Sequence, residues 1–333
     1  MDSVIDDVLL LMVKQFTSGD LLRFSRTSRQ YQLFVSGYMN TKFSVARHLD
    51  RFFPGSVYHN FRELQARTGA VIFGSTAFNF FAGTEDHSCV LDVMIRLHSH
   101  GEMASWLLQH GYVIRERATI TQHHDDPDSE DQLGPPNIAK YSNGESTIHV
   151  WIAYHNTLER VIGANLTCAM NFITANEAMS LYPHSTFHLY QSLRLRNNTT
   201  DTTDTFVENY TRLGWLVLDD IPPIDRAVTA SDFYTDHDTT GLRYVGDGKC
   251  WSIPCVRESG VPENSMFRYM NSWCLEFNAE GAYTRFTVAQ SDELRERYLL
   301  AWNSDLQQVF RRAMYWPRDD YVNHMLTQFF RAL

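Results

Sequence analysis

Two stretches in the first third of the chain decide the fold. The first reads Ala70-Val71-Ile72-Phe73-Gly74-Ser75-Thr76-Ala77-Phe78-Asn79-Phe80-Phe81, and the second Cys89-Val90-Leu91-Asp92-Val93-Met94-Ile95-Arg96-Leu97. The first predicts a short apolar strand that ends at a Gly-Ser turn and continues as a helix, and the second predicts another strand. A helix over 102–110, stopped by Gly111, and a strand over 112–115 come next. This alternation of strands and helices indicates an α/β core.

Residues 1–52 are interpreted as a small helical module. Apolar residues recur there at helical spacing, and the polar segment 17–20 supplies a break and a cap. The module carries more apolar side chains than roughly fifty residues can bury among themselves, so we expect it to pack on the rest of the chain or on a partner. The candidates for a partner surface are Val8, Leu11, Leu21, Leu22 and Phe24.

Downstream of the first core strands the pattern is more varied. Residues 121–144 are polar and predict a long surface loop, whereas 147–153 alternate as a strand. Helical patterns are predicted over 157–162, 175–181 and 188–195. The last third predicts strands near Tyr244 and over 251–256, 273–277 and 283–288, then helices over 292–315 and 321–333. We therefore predict an α+β protein with an α/β core, divided into a helical module (1–52), a core (53–200) and a C-terminal extension with strands and terminal helices (201–333).

Charge and cysteine usage limit the cell compartment and the partners that we expect for this protein. The chain has 29 Lys and Arg against 39 Asp and Glu, a net charge of −10, and no basic cluster, so we expect neither nucleic acid nor a membrane as partner. The five cysteines include no Cys-x-x-Cys pair, which favours a reducing compartment. The apolar run 8–13 is too short for a signal peptide or a membrane span. A cytoplasmic or nuclear location is the expectation.

The helical start resembles a known motif. The segment Asp20-Leu21-Leu22-Arg23-Phe24-Ser25-Arg26-Thr27-Ser28-Arg29 is similar to the F-box pattern, although the usual Leu-Pro is absent. The chain beyond this segment resembles a group of fungal proteins that join an F-box-like start to a nucleotidyltransferase-like domain. The matching stretches are 64–70, 74–77 with 80–81, 90–93, 106–107, 111–112, 166–173, 178–183, 186–187, 243–247 and 271–273. The resemblance implies a nucleotidyltransferase-like mixed sheet and docking to a ubiquitin-ligase adaptor.

The resemblance also implies a site that can be checked residue by residue. Such enzymes hold the nucleotide at a Gly-Ser turn and bind two magnesium ions with an Asp-x-Asp pair, whose members project from one face of a strand. Gly74 and Ser75 supply the turn, but Val90 stands where the first aspartate belongs. One carboxylate, Asp92, cannot bridge two ions, and the neighbouring strand offers His149 instead of a third acid. The catalytic set is therefore degenerate, and no cofactor is expected.

The ligand-binding candidates are accordingly Gly74, Ser75, Asp92 and His149. Backbone N–H groups at the turn are suited to a small anionic ligand. The structural alternative is a simple strand-to-helix turn with Ser75 as N-cap.

A second cluster contains groups that can ligate metals. It comprises His123, His124, Asp125, Asp126 and Asp128. Because Pro127 interrupts any helix that would align these side chains, a hydrated acidic loop is favoured over a metal site.

Three functions are compatible with these observations. The leading hypothesis is recognition, in which the module docks an adaptor and the core binds a client or a small ligand. The alternative is an enzyme that uses the same cleft, either for divergent nucleotidyl transfer with magnesium and a nucleotide or for other small-molecule chemistry. The third is a structural domain whose helical start packs internally and recruits nothing.

Overall fold

The computed structural model describes residues 2–16, 18–84, 89–116, 138–153, 157–196, 202–219, 243–255, 271–278 and 281–288. The helices are α1 (Asp2–Val13), α2 (Ser18–Ser25), α3 (Arg29–Lys42), α4 (Val45–Leu49), α5 (Ser56–Thr68), α6 (Gly74–Ala82), α7 (His100–Gln109), α8 (Glu159–Ile162), α9 (Pro183–Phe187) and α10 (Thr202–Arg212). The strands are β1 (Val71–Phe73), β2 (Val90–Arg96), β3 (Val113–Glu116), β4 (Ile138–Ser142), β5 (Thr147–Ala153), β6 (Asn171–Ile173), β7 (Glu177–Ser180), β8 (Gln191–Leu193), β9 (Leu216–Leu218), β10 (Arg243–Tyr244), β11 (Trp251–Pro254), β12 (Asn271–Asn278) and β13 (Gly281–Val288).

Eight of these strands form one mixed sheet in the order β11-β7-β6-β1-β2-β5-β4-β3. Within it β2 and β5 run parallel, and the other paired strands are antiparallel. A three-stranded sheet, β10-β12-β13, and a parallel pair, β8-β9, accompany it. The predicted α+β class with a mixed sheet and helices is confirmed.

The main sheet buries its two faces against different partners. Because side chains alternate along a strand, Leu91, Val93 and Ile95 point to one face, where they join a core with α5 and α7. On the other face, Met94 joins a core that includes Trp273 of β12. Asp92 has the same parity as Met94 and so lies on this second face.

The helical module has its own small core. Val13, Leu21 and Val35 bring α1, α2 and α3 together, and Phe16 and Phe24 pack against them. Farther along the chain, the side chains of Phe43, Val45 and Leu49 belong to the core of the main sheet. The segment after α3 therefore anchors the module to the rest of the molecule, as expected from its excess of apolar residues.

A buried ion pair holds β10 against the main sheet. Arg243 donates to Asp247 through Nε at 2.5 Å and through Nη2 at 3.0 Å, and Nη2 also donates to the carbonyl of Leu181 at 2.9 Å. Its guanidinium lies 5.1 Å and 5.2 Å from the ring centroids of Tyr182 and Trp273. Burial by itself would raise the pKa of Asp247, but the hydrogen bonds and the charge of Arg243 outweigh it and lower that pKa.

Three predictions of secondary structure are wrong. Residues 175–181 and 188–195 were predicted as helices, but β7 pairs with β6 and β11, and β8 pairs with β9. The segment 138–142, predicted as part of a surface loop, forms β4 and pairs with β5. For β7 and β8, partners that are distant in sequence, β11 and β9, contribute to the strand conformation, whereas β4 pairs with β5 across the short turn 143–146. The predicted helices over 292–315 and 321–333 lie outside the described residues.

Candidate functional site

Asp92 lies at the centre of the candidate site, between β1 and β5. Its backbone neighbours in the sheet are Phe73 and His149. The indole Nε1 of Trp151 donates to Asp92 Oδ1 at 2.8 Å, and His149 Nδ1 lies 3.2 Å from the same oxygen. The side chains of His149 and Asp92 remain 23% and 21% exposed. One carboxylate oxygen is therefore engaged by two ring nitrogens of the protein, while the group is still accessible from outside.

The turn at Gly74 brings the start of α6 next to this carboxylate. Gly74 has φ +70°, and a Cβ added there would lie 2.8 Å from Asp92 Oδ2. Only glycine meets both the backbone and the space requirement at this position. Phe73 is the N-cap of α6 and makes no side-chain capping bond. The Asp92 carboxylate thus lies near the N-terminus of α6, the positive end of the helix dipole.

Ser75 is inside the first turn of α6 and not at its N-cap, because Phe73 occupies that position. The structural alternative of Ser75 as N-cap is therefore wrong. The strand-to-helix turn itself is where the sequence predicted it, and it brings Gly74 and Asp92 together.

The neighbouring strands supply no second acid to this site. Val90 is two residues before Asp92 and pairs with Thr147, and neither β1 nor β5 contains an aspartate or glutamate. Across the part of the chain that the structure describes, no group of three or more His, Cys, Asp or Glu side chains is arranged to hold a metal ion. The arrangement suits one hydrogen-bonded carboxylate better than a two-metal centre.

Charged groups surround the site on the same face. Lys140 pairs with His149 across β4 and β5, and its Nζ forms an ion pair with Glu116 at 2.6 Å. The guanidinium of Arg160 lies 4.9 Å from the ring centroid of Trp151. On the buried side, desolvation first, and then the charges of Cys168 and Asp92, raise the pKa of Tyr210 well above its usual value. The polar groups of the face are thus largely paired with one another.

Sequence reasoning found part of this arrangement. It identified Gly74, Asp92 and His149, which the fold brings together, but it did not identify Trp151, whose indole donates a hydrogen bond to Asp92. The parity of β5 carries that signal, because His149 and Trp151 both project toward Asp92. The metal candidates His123, His124, Asp125, Asp126 and Asp128 lie outside the described residues.

The adaptor-binding candidates have different environments. Val8 and Leu11 on α1 are 52% and 63% exposed, whereas Leu21 is 2% exposed and belongs to the core of the module. Phe24 is half-buried, and its ring stacks on Tyr31 with centroids 4.4 Å apart. The side chain of Leu22 is outside the described part of the structure. Of the described candidates, Val8 and Leu11 are the ones that a partner can reach most fully.

Comparison with known proteins yields two distant likenesses. No protein-family model and no curated protein matches the chain. Two solved structures are similar in fold: a CCA-adding enzyme in apo form I (11% identity, TM-score 0.33, covering 56% of this chain and 45% of that one) and a CCA-adding enzyme in complex with CTP (12%, 0.33, 61% and 48%). The match spans about half the length of those enzymes. At this distance the likeness supports no conclusion about function.

None of the helices within the described ranges has both the length and the apolar composition needed to cross a membrane.

Proposed function

We propose that the chain is a recognition protein built on a catalytically degenerate nucleotidyltransferase-like fold. In this proposal the helical module recruits a ubiquitin-ligase adaptor, and the core binds a client or a small ligand without metal-dependent transfer. One observation carries it: the Asp92 carboxylate is bonded to Trp151 and His149, with Val90 in place of a second acid. Such a carboxylate has a structural task and is poorly suited to binding two cations.

A transfer assay tests the catalytic half of the proposal. Labelled nucleotides are incubated with the full chain, magnesium or manganese and a panel of nucleic-acid, protein and small-molecule acceptors. We expect wild type and Asp92→Ala to give the same background. Transfer well above background that Asp92→Ala abolishes would contradict a degenerate site.

The recruitment half rests on the F-box resemblance and on the exposed face of α1. Because Leu21 is buried, Leu21→Asp would unfold the module and would not report on docking. Leu11→Asp changes an exposed position and is the informative variant. A purified adaptor should capture the wild-type protein but not the Leu11→Asp variant. Gln30→Glu, at an exposed position of α3, is the matched control and should be captured like wild type. Equal capture of all three, or of none, would refute recruitment through this face.

The predicted small anionic ligand at Gly74 and Ser75 remains a proposal. Asp92 lies beside the turn and repels an anion, so binding in wild type should be weak. Asp92→Asn removes the repulsion and should strengthen stabilisation by inorganic phosphate or triphosphate in a thermal-shift titration. If neither protein responds, the turn is structural only.

The second candidate function is an enzyme of another reaction class on the same face. The His149–Asp92 pair favours it, because a carboxylate bonded to an accessible imidazole is the arrangement of a general base. Magnesium with a nucleotide is the cofactor set for a divergent transfer reaction. Turnover of any substrate that is lost in His149→Ala, with the fold intact by circular dichroism, would favour this candidate over recognition.

A further inference from the structure

A groove of about 1140 Å³ separates the helical module from the edge of the main sheet. One wall comes from α2, α3 and α4, and the other from α9 and β11. Aromatic side chains from both walls meet in it: the rings of Phe43 and Trp251 are 5.2 Å apart, and Phe187 lies nearby against Phe81. Its volume lies just above the roughly 300–1,000 Å³ typical of small-molecule pockets.

The lining of the groove differs in charge from the protein as a whole. The chain carries −10, yet among the described residues that line the groove there is no aspartate or glutamate. Two cationic side chains, Arg23 and Lys249, and three histidines, His59, His184 and His188, do line it, and Arg23 also forms an ion pair with Asp20 at 3.2 Å. An apolar surface lined by these basic and imidazole side chains complements an acidic amphipathic segment.

Helix α1 has these properties. Val8, Leu11 and Met12 are at positions i, i+3 and i+4, so they share one face, and they are 52%, 63% and 46% exposed. Val13, at 0% exposure, holds the helix to the module from another side. The sequence of α1 contains three aspartates, Asp2, Asp6 and Asp7, and no lysine or arginine. An exposed apolar stripe on an acidic helix is an interaction surface that matches an apolar, basic counterpart.

We propose that the occupant of the groove is α1 of a second copy of this chain. If each copy places its α1 in the groove of the other, the two contacts close a symmetric dimer with no open end. The inference rests on the proposed function to the extent that both use the exposed face of α1 as a docking surface. It adds that self-association covers this face, so an adaptor and a second copy compete for Val8 and Leu11.

Two variants separate the two sides of the contact. Leu11→Asp damages the exposed stripe and leaves the groove intact. Ser36→Glu places a negative charge at an exposed position of α3 that lines the groove and leaves α1 intact. Gln30→Glu, exposed on the same helix but not among the lining residues, is the matched control.

Sedimentation velocity of the full chain over a range of concentrations measures the association. We expect a monomer–dimer equilibrium for wild type and Gln30→Glu, with a dissociation constant that rises with salt. Leu11→Asp and Ser36→Glu should each raise this constant at least about tenfold. An equimolar mixture of these two variants should form a mixed dimer, detected with a fluorescent label on one of them, because one intact stripe meets one intact groove.

Three results would overturn the inference. They are a wild-type monomer at the highest concentration, a dimer that neither variant weakens, and a mixture of the variants that forms no mixed dimer. Adaptor capture keeps the inference distinct from the proposed function: Ser36→Glu should lose self-association and retain capture, whereas Leu11→Asp should lose both. Capture that fails for wild type while the dimer forms would refute recruitment and leave the dimer standing.

Discussion

Neutralising Asp92 should destabilise the protein, and the sign of this effect separates a structural carboxylate from a metal ligand. Asp92→Asn keeps an acceptor for Trp151 Nε1 but removes the charge beside α6 and weakens the contact with His149. A charge at a helix terminus contributes about 0.3–1 kcal/mol, and a charge-assisted hydrogen bond about 1.5–3 kcal/mol before discounting for exposure. We therefore expect a loss of about 1–2 kcal/mol. Asp92→Ala also leaves the indole without its acceptor and should cost about 1–3 kcal/mol more.

Urea unfolding followed by tryptophan fluorescence and circular dichroism measures both changes in the free energy of unfolding. Glu145→Gln, at an exposed turn position, is the control and should change stability by less than about 0.5 kcal/mol. A carboxylate whose task is to bind a cation is relieved, not harmed, by neutralisation when the cation is absent. An increase in stability on Asp92→Asn, or equal effects of Asn and Ala, would refute the structural assignment.

Changes elsewhere in the fold provide further tests. Arg243→Met leaves Asp247 buried without its cation and should cost about 3–5 kcal/mol in thermal or urea unfolding, because a broken buried pair leaves an uncompensated charge. The pKa of Asp247 lies below its usual 3.8, so this ion pair stabilises the fold above about pH 4, and that stability is lost as the pH falls through the folded pKa. An acid-unfolding profile that Asp247→Asn leaves unchanged would contradict this expectation. Gly83 has φ +67°, and a Cβ added there would clash with side-chain carbons of Lys42. Gly83→Ala should therefore lower the free energy of unfolding by about 1–2 kcal/mol, and by less when Lys42→Ala removes the clash. Leu21→Asp places a charge in the core of the helical module and should abolish the module's cooperative unfolding, which hydrogen exchange would measure.

The sequence predicted the segments around the site well because their signals are local. Strand β5 has the bounds that its alternation predicted, 147–153, and β2 is shorter than its prediction by one residue at each end. The turn at Gly74 was marked by a glycine that comes directly after an apolar strand. These features depend on side-chain parity and backbone freedom, which are properties of a few neighbouring residues.

Two of the wrong predictions concern segments that pair with strands distant in sequence, β7 with β11 and β8 with β9. In β7, Ala178 and Met179 are both fully buried, on opposite faces, so the apolar pattern does not distinguish a strand from a helix. Strand β4 was predicted as part of the polar surface loop over 121–144, yet it pairs with β3 and with β5, the strand that follows after the turn 143–146.

By itself the sequence determined the helical start of the chain, the α+β class, the Gly74 turn, and that Val90, not an acid, lies two residues before Asp92. Only the tertiary structure decided that Trp151 and His149 hold Asp92, that Leu21 is a core residue while Leu11 is exposed, and that the module and the sheet edge enclose a groove. The physical reason is range. Periodicity records which face of a segment is apolar, but which surface covers that face depends on contacts between residues far apart in the chain, and these exist only once the sheet has formed.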